Sequence, residues 1–134
     1  MSERRILIAD DDPDVRSIFG DYLTHAGYSV QTAADGDRAL ELAAQSPPDM
    51  ALLDVMMPGP SGMTLATRLM ELYPNVIVLI VTAYSSINLA IEVIQKGAHG
   101  YLVKPVRPKQ LLDRVEEAWN TSQRGESYAA ADPS

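Results

Sequence analysis

The feature that most constrains this chain is an alternation repeated five times: a short apolar run, then a stretch with apolar residues at helical spacing. The runs are Arg5 to Ala9, Tyr28 to Ala33, Met50 to Leu53, Val76 to Val81 and Tyr101 to Val103. Each has the length of a strand and ends in turn-forming or polar residues. The stretches after them carry helix signals of their own. Asp12-Pro13 sets an N-cap before a proline at the first helical position, and Gly27 stops the helix that runs through Val15, Ile18, Phe19, Tyr22 and Leu23. Asp35-Gly36 opens a second helix, which Pro47-Pro48 ends. Ser61 or Gly62 opens a third, with Leu65, Leu69 and Leu72 inward. Ser85 or Ser86 caps a fourth, with Ile87, Ala90, Ile91 and Ile94 inward and Gly97 after it. Pro108 opens a fifth, with Leu111, Leu112, Val115, Ala118 and Trp119 inward.

Strands that alternate with helices pair in parallel, because each return crossover needs the length a helix supplies. Right-handed crossovers place helices on both faces of the sheet. The expected fold is therefore α/β: a doubly wound (βα)5 domain with a five-stranded parallel sheet in the flavodoxin-like order 2-1-3-4-5. That order sends the wettest run, interrupted by Ser29, Gln31 and Thr32, to an edge. It places the most β-branched run, Val76 to Val81, inside. It also makes the first and third strands neighbours across the topological switch point, where ligands bind in such sheets.

Composition narrows the function. The 134 residues suffice for one domain with a sizeable core, and 46% are apolar. Asp and Glu number 18 against 11 Lys and Arg, a net charge of −7 that disfavours direct binding to nucleic acid or anionic membrane. With no cysteine, disulfides, thiolate metal sites and cysteine nucleophiles are excluded. Neither a signal-peptide core nor a membrane-length apolar run exists, so a cytoplasmic location is expected. The helical periodicity fades at Asn120, which divides the chain into a domain over residues 1–120 and a flexible tail, or the start of a linker, over 121–134.

In a parallel sheet all carboxyl ends share one edge. The first strand delivers Asp10 and Asp11 there, the third Asp54, the fourth Thr82 and the fifth Lys104. Three carboxylates brought together repel, and a divalent cation and Lys104 are the available compensators. A site of oxygen ligands without His or Cys selects a hard cation, and Mg²⁺ is the expected one. The remaining groups suit phosphoryl transfer. A carboxylate can become an aspartyl-phosphate while Lys104 and the Thr82 hydroxyl hold phosphoryl oxygens. Asp54 is the expected nucleophile, since Asp10 and Asp11 are paired as metal holders and Asp12 is better placed as a helix cap.

These residues resemble the receiver domain of bacterial two-component response regulators. The matching segments are ILIADDDPDVR at 6–16, LLDVMMPGPSGM at 52–63, VTAYSS at 81–86 and YLVKP at 101–105, and the likeness extends from Arg5 to Trp119. The resemblance implies that Asp54 is the phosphoacceptor, charged by a sensor histidine kinase or a phosphotransfer protein. It implies that Asp10, Asp11, Asp54 and the backbone carbonyl of Met56 hold Mg²⁺, that Thr82 and Lys104 contact the phosphoryl group, and that the Lys104-Pro105 bond is cis. It further implies a switch in which Thr82 and Tyr101 move together and remodel the surface of helix 4, strand 5 and helix 5. That surface would control an output partner or domain, and a homodimer through it is also implied. Such a protein catalyses only its own phosphorylation and dephosphorylation.

One departure stands out: Pro60-Ser61 precede Gly62, where family members commonly carry an acid. Met56 and Tyr84 occupy the two variable positions that flank the site. His25 and His99 read as structural. Lys96, Arg107, Lys109 and Arg114 read equally as a solvated face or as a docking face. Two other functions share the pattern: a Mg²⁺-dependent phosphohydrolase acting through an aspartyl-phosphate, and a phosphate-independent adaptor on the same fold. The first suffers from the position of its lone acid on the third strand and from the lack of a cap domain. The intact acidic site argues against the second.

Overall fold

Successive strand residues point to opposite faces, so a strand covered on both sides must be apolar throughout. A computed structural model, which describes residues 4–57 and 62–123, shows that this requirement is met where the pattern asks for it. The elements in chain order are β1 (Arg5–Ala9), α1 (Pro13–His25), β2 (Ser29–Ala33), α2 (Gly36–Gln45), β3 (Met50–Leu53), α3 (Gly62–Leu72), β4 (Ile77–Thr82), α4 (Ile87–Gln95), β5 (Gly100–Val103) and α5 (Pro108–Gln123). The five strands form one parallel sheet in the order β2-β1-β3-β4-β5. Ile6 to Ala9, all of β3 and all of β4 are buried, whereas β2 lies at the edge with Gln31 and Thr32 exposed.

The alternation sorts the core into two layers. Leu7, Ala51, Leu53, Val78 and Ile80 face one side, where they pack with Leu42 of α2, Leu65 and Leu69 of α3 and Val93 of α4. Ile6, Ile8, Leu52, Ile77 and Leu79 face the other, with Phe19 and Leu23 of α1 and Leu111 and Val115 of α5. Burial of one such side chain contributes about 1.5–3 kcal/mol, so the sheet is a rigid mount for whatever its edge carries.

The helix ends follow local chemistry. The Asp12, Asp35 and Ser86 side chains accept from the backbone N–H of Asp14, Arg38 and Leu89, at 2.9, 2.8 and 3.2 Å. Gly27 and Gly97 take φ of 104° and 112° just past α1 and α4, a left-handed conformation that only glycine adopts freely.

The helix faces differ from the expected ones in places. Leu72, Ile87 and Ile91 are exposed rather than inward, and Ile18 and Tyr22 of the apolar series along the first helix are exposed as well. α1 meets the sheet through Phe19, Gly20 and Leu23, and α4 buries only Val93 fully, so its Ile87–Ile91 side faces solvent. Helical spacing identifies an apolar stripe but not how far round the helix its cover extends. β4 starts and ends one residue later than its apolar run, and α5 continues past Asn120 to Gln123. The tail expected over 121–134 lies, from residue 124 on, outside the described residues, as do Pro58 to Ser61 of the loop after β3. No helix among the described residues is long and apolar enough to cross a membrane.

Candidate functional site

The polar edge is built by extending the strand ladders one rung beyond the apolar core. The Asp10 N–H donates to the Ala33 carbonyl at 3.0 Å, the Asp54 N–H to the Ala9 carbonyl at 3.0 Å, and the Lys104 N–H to the Thr82 carbonyl at 2.8 Å. Each rung ties a site residue to the neighbouring strand. The side chains of Asp10, Asp54, Thr82 and Lys104 thus start from a fixed backbone at one edge, as the order 2-1-3-4-5 requires. Asp10, Asp54 and Thr82 are the buried polar residues here, at 3%, 5% and 0% exposure.

Lys104 bridges the two buried acids. Its Nζ lies 2.6 Å from Oδ2 of Asp10 and 3.0 Å from Oδ2 of Asp54. The other oxygen of each carboxylate takes a backbone donor two residues on: Asp12 N–H to Asp10 Oδ1 at 2.9 Å, and Met56 N–H to Asp54 Oδ1 at 2.8 Å. Carboxylate oxygens of Asp10, Asp11 and Asp54 lie within 4.8 Å of one another. Asp11 is exposed, so the group opens to solvent on that side. A donor set made only of carboxylate oxygens fits a hard divalent cation, and this group could hold one.

The electrostatics follow from burial and pairing. Burial pushes the Asp10 carboxyl above its usual range; the bonds from Lys104 and the Asp12 N–H oppose this without cancelling it, and the charge of Asp54 adds to it. For Lys104 burial alone would lower the pKa, but the two carboxylates together outweigh it and hold the ammonium charged above its ordinary value. The site therefore holds one firmly positive group between two buried acids.

Thr82 and Tyr101 are coupled through one peptide segment. The Tyr84 N–H donates to Thr82 Oγ1 at 3.2 Å, and the Tyr101 hydroxyl donates to the Tyr84 carbonyl. Tyr101 is half-buried, and burial raises its pKa, with contributions from Tyr84 and Asp54. The Lys104-Pro105 bond is cis. Met56 and Tyr84 flank the site with exposed side chains, at 59% and 50%.

Three features escaped the sequence pattern. Arg16, on the first turns of α1, sends Nη1 back to the Asp10 carbonyl at 2.8 Å. Gly62 starts α3 so close to the carboxyl end of β3 that an added Cβ would stand 2.2 Å from the Asp54 carbonyl oxygen and 2.5 Å from Val55 Cα. Beside Lys104 an apolar cleft of about 460 Å³ runs between Ile18 and Phe19 of α1 and Pro105, Val106 and Pro108 before α5. The histidines stand away from the acids. His25 ends α1, and the ring of His99 accepts the Val78 N–H through Nδ1 at 3.2 Å. Of the late basic residues, Lys96 pairs with Glu92 at the end of α4 and Lys109 with Asp113 on α5, the arrangement of a solvated face, whereas Arg114, paired with Glu117, is only half-exposed.

Comparison with known proteins agrees with this geometry. The chain matches the profile of the response regulator receiver domain over residues 6–116. It is 41% identical over 113 residues to the DNA-binding dual master transcriptional regulator RpaA of Synechocystis sp., covering 83% of this chain and 47% of that protein. It is 39% identical over 111 residues to the response regulator MprA of Mycobacterium sp., covering 83% and 48%. The chain thus spans about half the length of the curated relatives it matches. Among solved structures, a CheY-like receiver domain protein from Methanospirillum hungatei superposes with a TM-score of 0.87 at 30% identity, covering 92% of this chain and 99% of that one. A five-stranded sheet in this order, carrying a lysine-bridged acidic edge along a sequence that matches the profile through nearly all of the described core, makes the chain a member of the response regulator receiver domain family.

Proposed function

We propose that the chain is a phosphorylation-activated signalling switch in which Asp54 accepts a phosphoryl group from a sensor histidine kinase or phosphotransfer protein in the cytoplasm. The observation that carries this reading is the single ammonium of Lys104 shared between two buried carboxylates, with a third acid beside them. β3 lies between β1 and β4, so Asp54 has Asp10 and Asp11 on one side and Thr82 and Lys104 on the other. A group attached to Asp54 starts between the strand end that carries Asp10 and Asp11 and the one that carries Thr82, with Lys104 3.0 Å from its carboxylate.

The chemistry is an in-line displacement. A carboxylate oxygen of Asp54 forms a bond to phosphorus as the bond from phosphorus to the donor imidazole nitrogen breaks, and the electron pair leaves with the imidazole. The backbone N–H of Met56 keeps the Asp54 carboxylate oriented. Lys104 supplies positive charge for a phosphoryl oxygen, and the Thr82 hydroxyl is placed to donate to another. Asp10, Asp11, Asp54 and the Met56 carbonyl are the groups that would hold Mg²⁺, which, when bound, neutralises charge on the carboxylates and the phosphoryl group. Water attacking the same phosphorus forms a new phosphorus–oxygen bond as the bond to Asp54 breaks, which releases inorganic phosphate and restores the carboxylate. The chain turns over no other substrate, in keeping with receiver domains as signalling domains rather than enzymes in the usual sense.

The switch runs through Tyr84. A Thr82 hydroxyl drawn toward a phosphoryl group gives up the Tyr84 N–H, and the Tyr84 carbonyl is the acceptor that positions Tyr101. Movement at Asp54 is thereby passed to β5 and to the α4-β5-α5 surface, where the exposed Ile87–Ile91 side of α4 offers an output partner, an output domain or a second copy an apolar contact. The cleft beside Lys104 is suited to an apolar helix of the phosphodonor protein.

Incubation with acetyl phosphate and Mg²⁺, followed by phosphorus NMR, separates this reading from its rivals. A switch yields a single long-lived acyl phosphate per chain. Rapid release of inorganic phosphate over many turnovers would indicate the phosphohydrolase instead, and an unchanged spectrum the adaptor.

A further inference from the structure

Three consecutive acids, Asp10 to Asp12, form the turn between β1 and α1, and mutual repulsion favours a spread-out loop. The structure closes it with three bonds. The Asp12 N–H donates to Asp10 Oδ1, the Asp12 side chain caps α1 on the Asp14 N–H, and Arg16 Nη1 donates to the Asp10 carbonyl at 2.8 Å. The first two are made by the acids themselves. The third reaches in from the helix, across six residues, and brings a positive charge to the backbone of the turn, whereas the charge of Lys104 meets the Asp10 carboxylate from the end of β5. The Arg16 backbone N–H also starts the helix, donating to the Asp12 carbonyl at 3.1 Å, so both ends of this residue grip the acidic turn.

We propose that Arg16 is the positioning residue of the acidic site: by holding the Asp10 carbonyl it sets Asp10 and Asp11 at the spacing from Asp54 that a divalent cation requires. The inference rests on the reading of this site as a Mg²⁺ site. Arg16 donates to a backbone carbonyl and is not among the groups that would hold the cation. It acts on the ligands as outer groups act at other metal sites, where their loss costs 10–100-fold in affinity.

Charge and position predict opposite signs here. As a charge alone, Arg16 repels a divalent cation, and its neutralisation would tighten binding. As a positioning group, its loss loosens the ligand pair and weakens binding. The guanidinium is part-buried and committed to a fixed oxygen, so the geometric effect is the larger one.

The test is a Mg²⁺ titration of the full chain without phosphoryl donor, by calorimetry or by amide NMR shifts of Asp10 to Asp12. Arg16→Gln is expected to weaken Mg²⁺ binding roughly tenfold, Arg16→Lys to recover part of the loss, and Arg38→Gln, which removes an equal charge from an exposed pair with Glu41, to leave it unchanged. Thermal unfolding without Mg²⁺ controls for folding. Should Arg16→Gln prove too unstable, Arg16→Lys alone decides, since it keeps the charge and loses the fork: weaker binding supports the inference. Affinity equal to or tighter than wild type in a folded Arg16→Gln chain overturns it. A wild-type chain that takes up no Mg²⁺ is a different result, and it overturns the functional reading together with this one.

Discussion

Lys104 satisfies two buried carboxylates at once and so occupies, in charge, the place of a cation. Removing one partner of a buried ion pair leaves an uncompensated charge, at a cost of about 3 kcal/mol or more. Here it would leave two, on Asp10 and Asp54. Lys104→Ala is therefore expected to lower stability without Mg²⁺, to bind Mg²⁺ several-fold more tightly than wild type because a competing positive charge is gone, and yet to lose at least tenfold in the rate of phosphorylation. Calorimetric titration and labelling kinetics on one preparation check the divergence; weaker Mg²⁺ binding would mean that Lys104 supports the cation instead of competing with it. The candidate site was legible at this scale because its residues sit at strand ends, where apolar runs stop in Asp54, Thr82 and Lys104. Arg16 was not legible, because a bond from a side chain to a carbonyl six residues back leaves no mark in the periodicity.

Elements carry the next set of constraints. α3 begins against the backbone that follows β3, and an added Cβ at Gly62 would meet the Asp54 carbonyl and Val55 Cα, both backbone atoms that cannot swing aside. Gly62→Ala is expected to cost about 1–3 kcal/mol in chemical unfolding and to reduce labelling by displacing the turn; wild-type stability would show that α3 adjusts freely. His99 closes the far end of the β4–β5 ladder by accepting the Val78 N–H, a role open only to a neutral ring. Burial lowers its pKa below the ordinary 6.5. The unfolded chain then takes up the proton first as pH falls, so this contribution is complete above that value and is lost below it. Wild type minus His99→Asn should show a stability difference that shrinks as pH drops from about 7 to 5, by at most about 1.4 kcal/mol per pH unit and by less for a partly exposed ring. A difference independent of pH would contradict the assignment. The strands were legible because Ile6 to Ala9 of β1, all of β3 and Ile77 to Val81 of β4 are apolar without a break. The helix faces were less so: Ile87 and Ile91 share a stripe with Ala90 and Ile94, which are only half-buried, while the fully buried Val93 lies off that stripe, and only the packing against the sheet decides where burial falls.

For the whole molecule, the order β2-β1-β3-β4-β5 does two things: it gathers residues from Asp10 to Lys104 at one edge, and it leaves an apolar cleft between α1 and the segment before α5 beside them. Ile18, 53% exposed at the cleft, lies outside the acidic group. Ile18→Asp is expected to leave labelling by acetyl phosphate unchanged while slowing transfer from a phosphorylated kinase domain at least tenfold; equal transfer would place the docking surface elsewhere. The edge was readable from alternation alone, whereas the cleft depends on how two distant segments pack and has no local signature. The account as a whole stands on Asp54. Intact-mass spectrometry after incubation with acetyl phosphate and Mg²⁺ should find one phosphoryl group per chain, and none when Mg²⁺ is chelated or Asp54→Asn is substituted. An adduct of undiminished yield on the Asp54→Asn chain would contradict it.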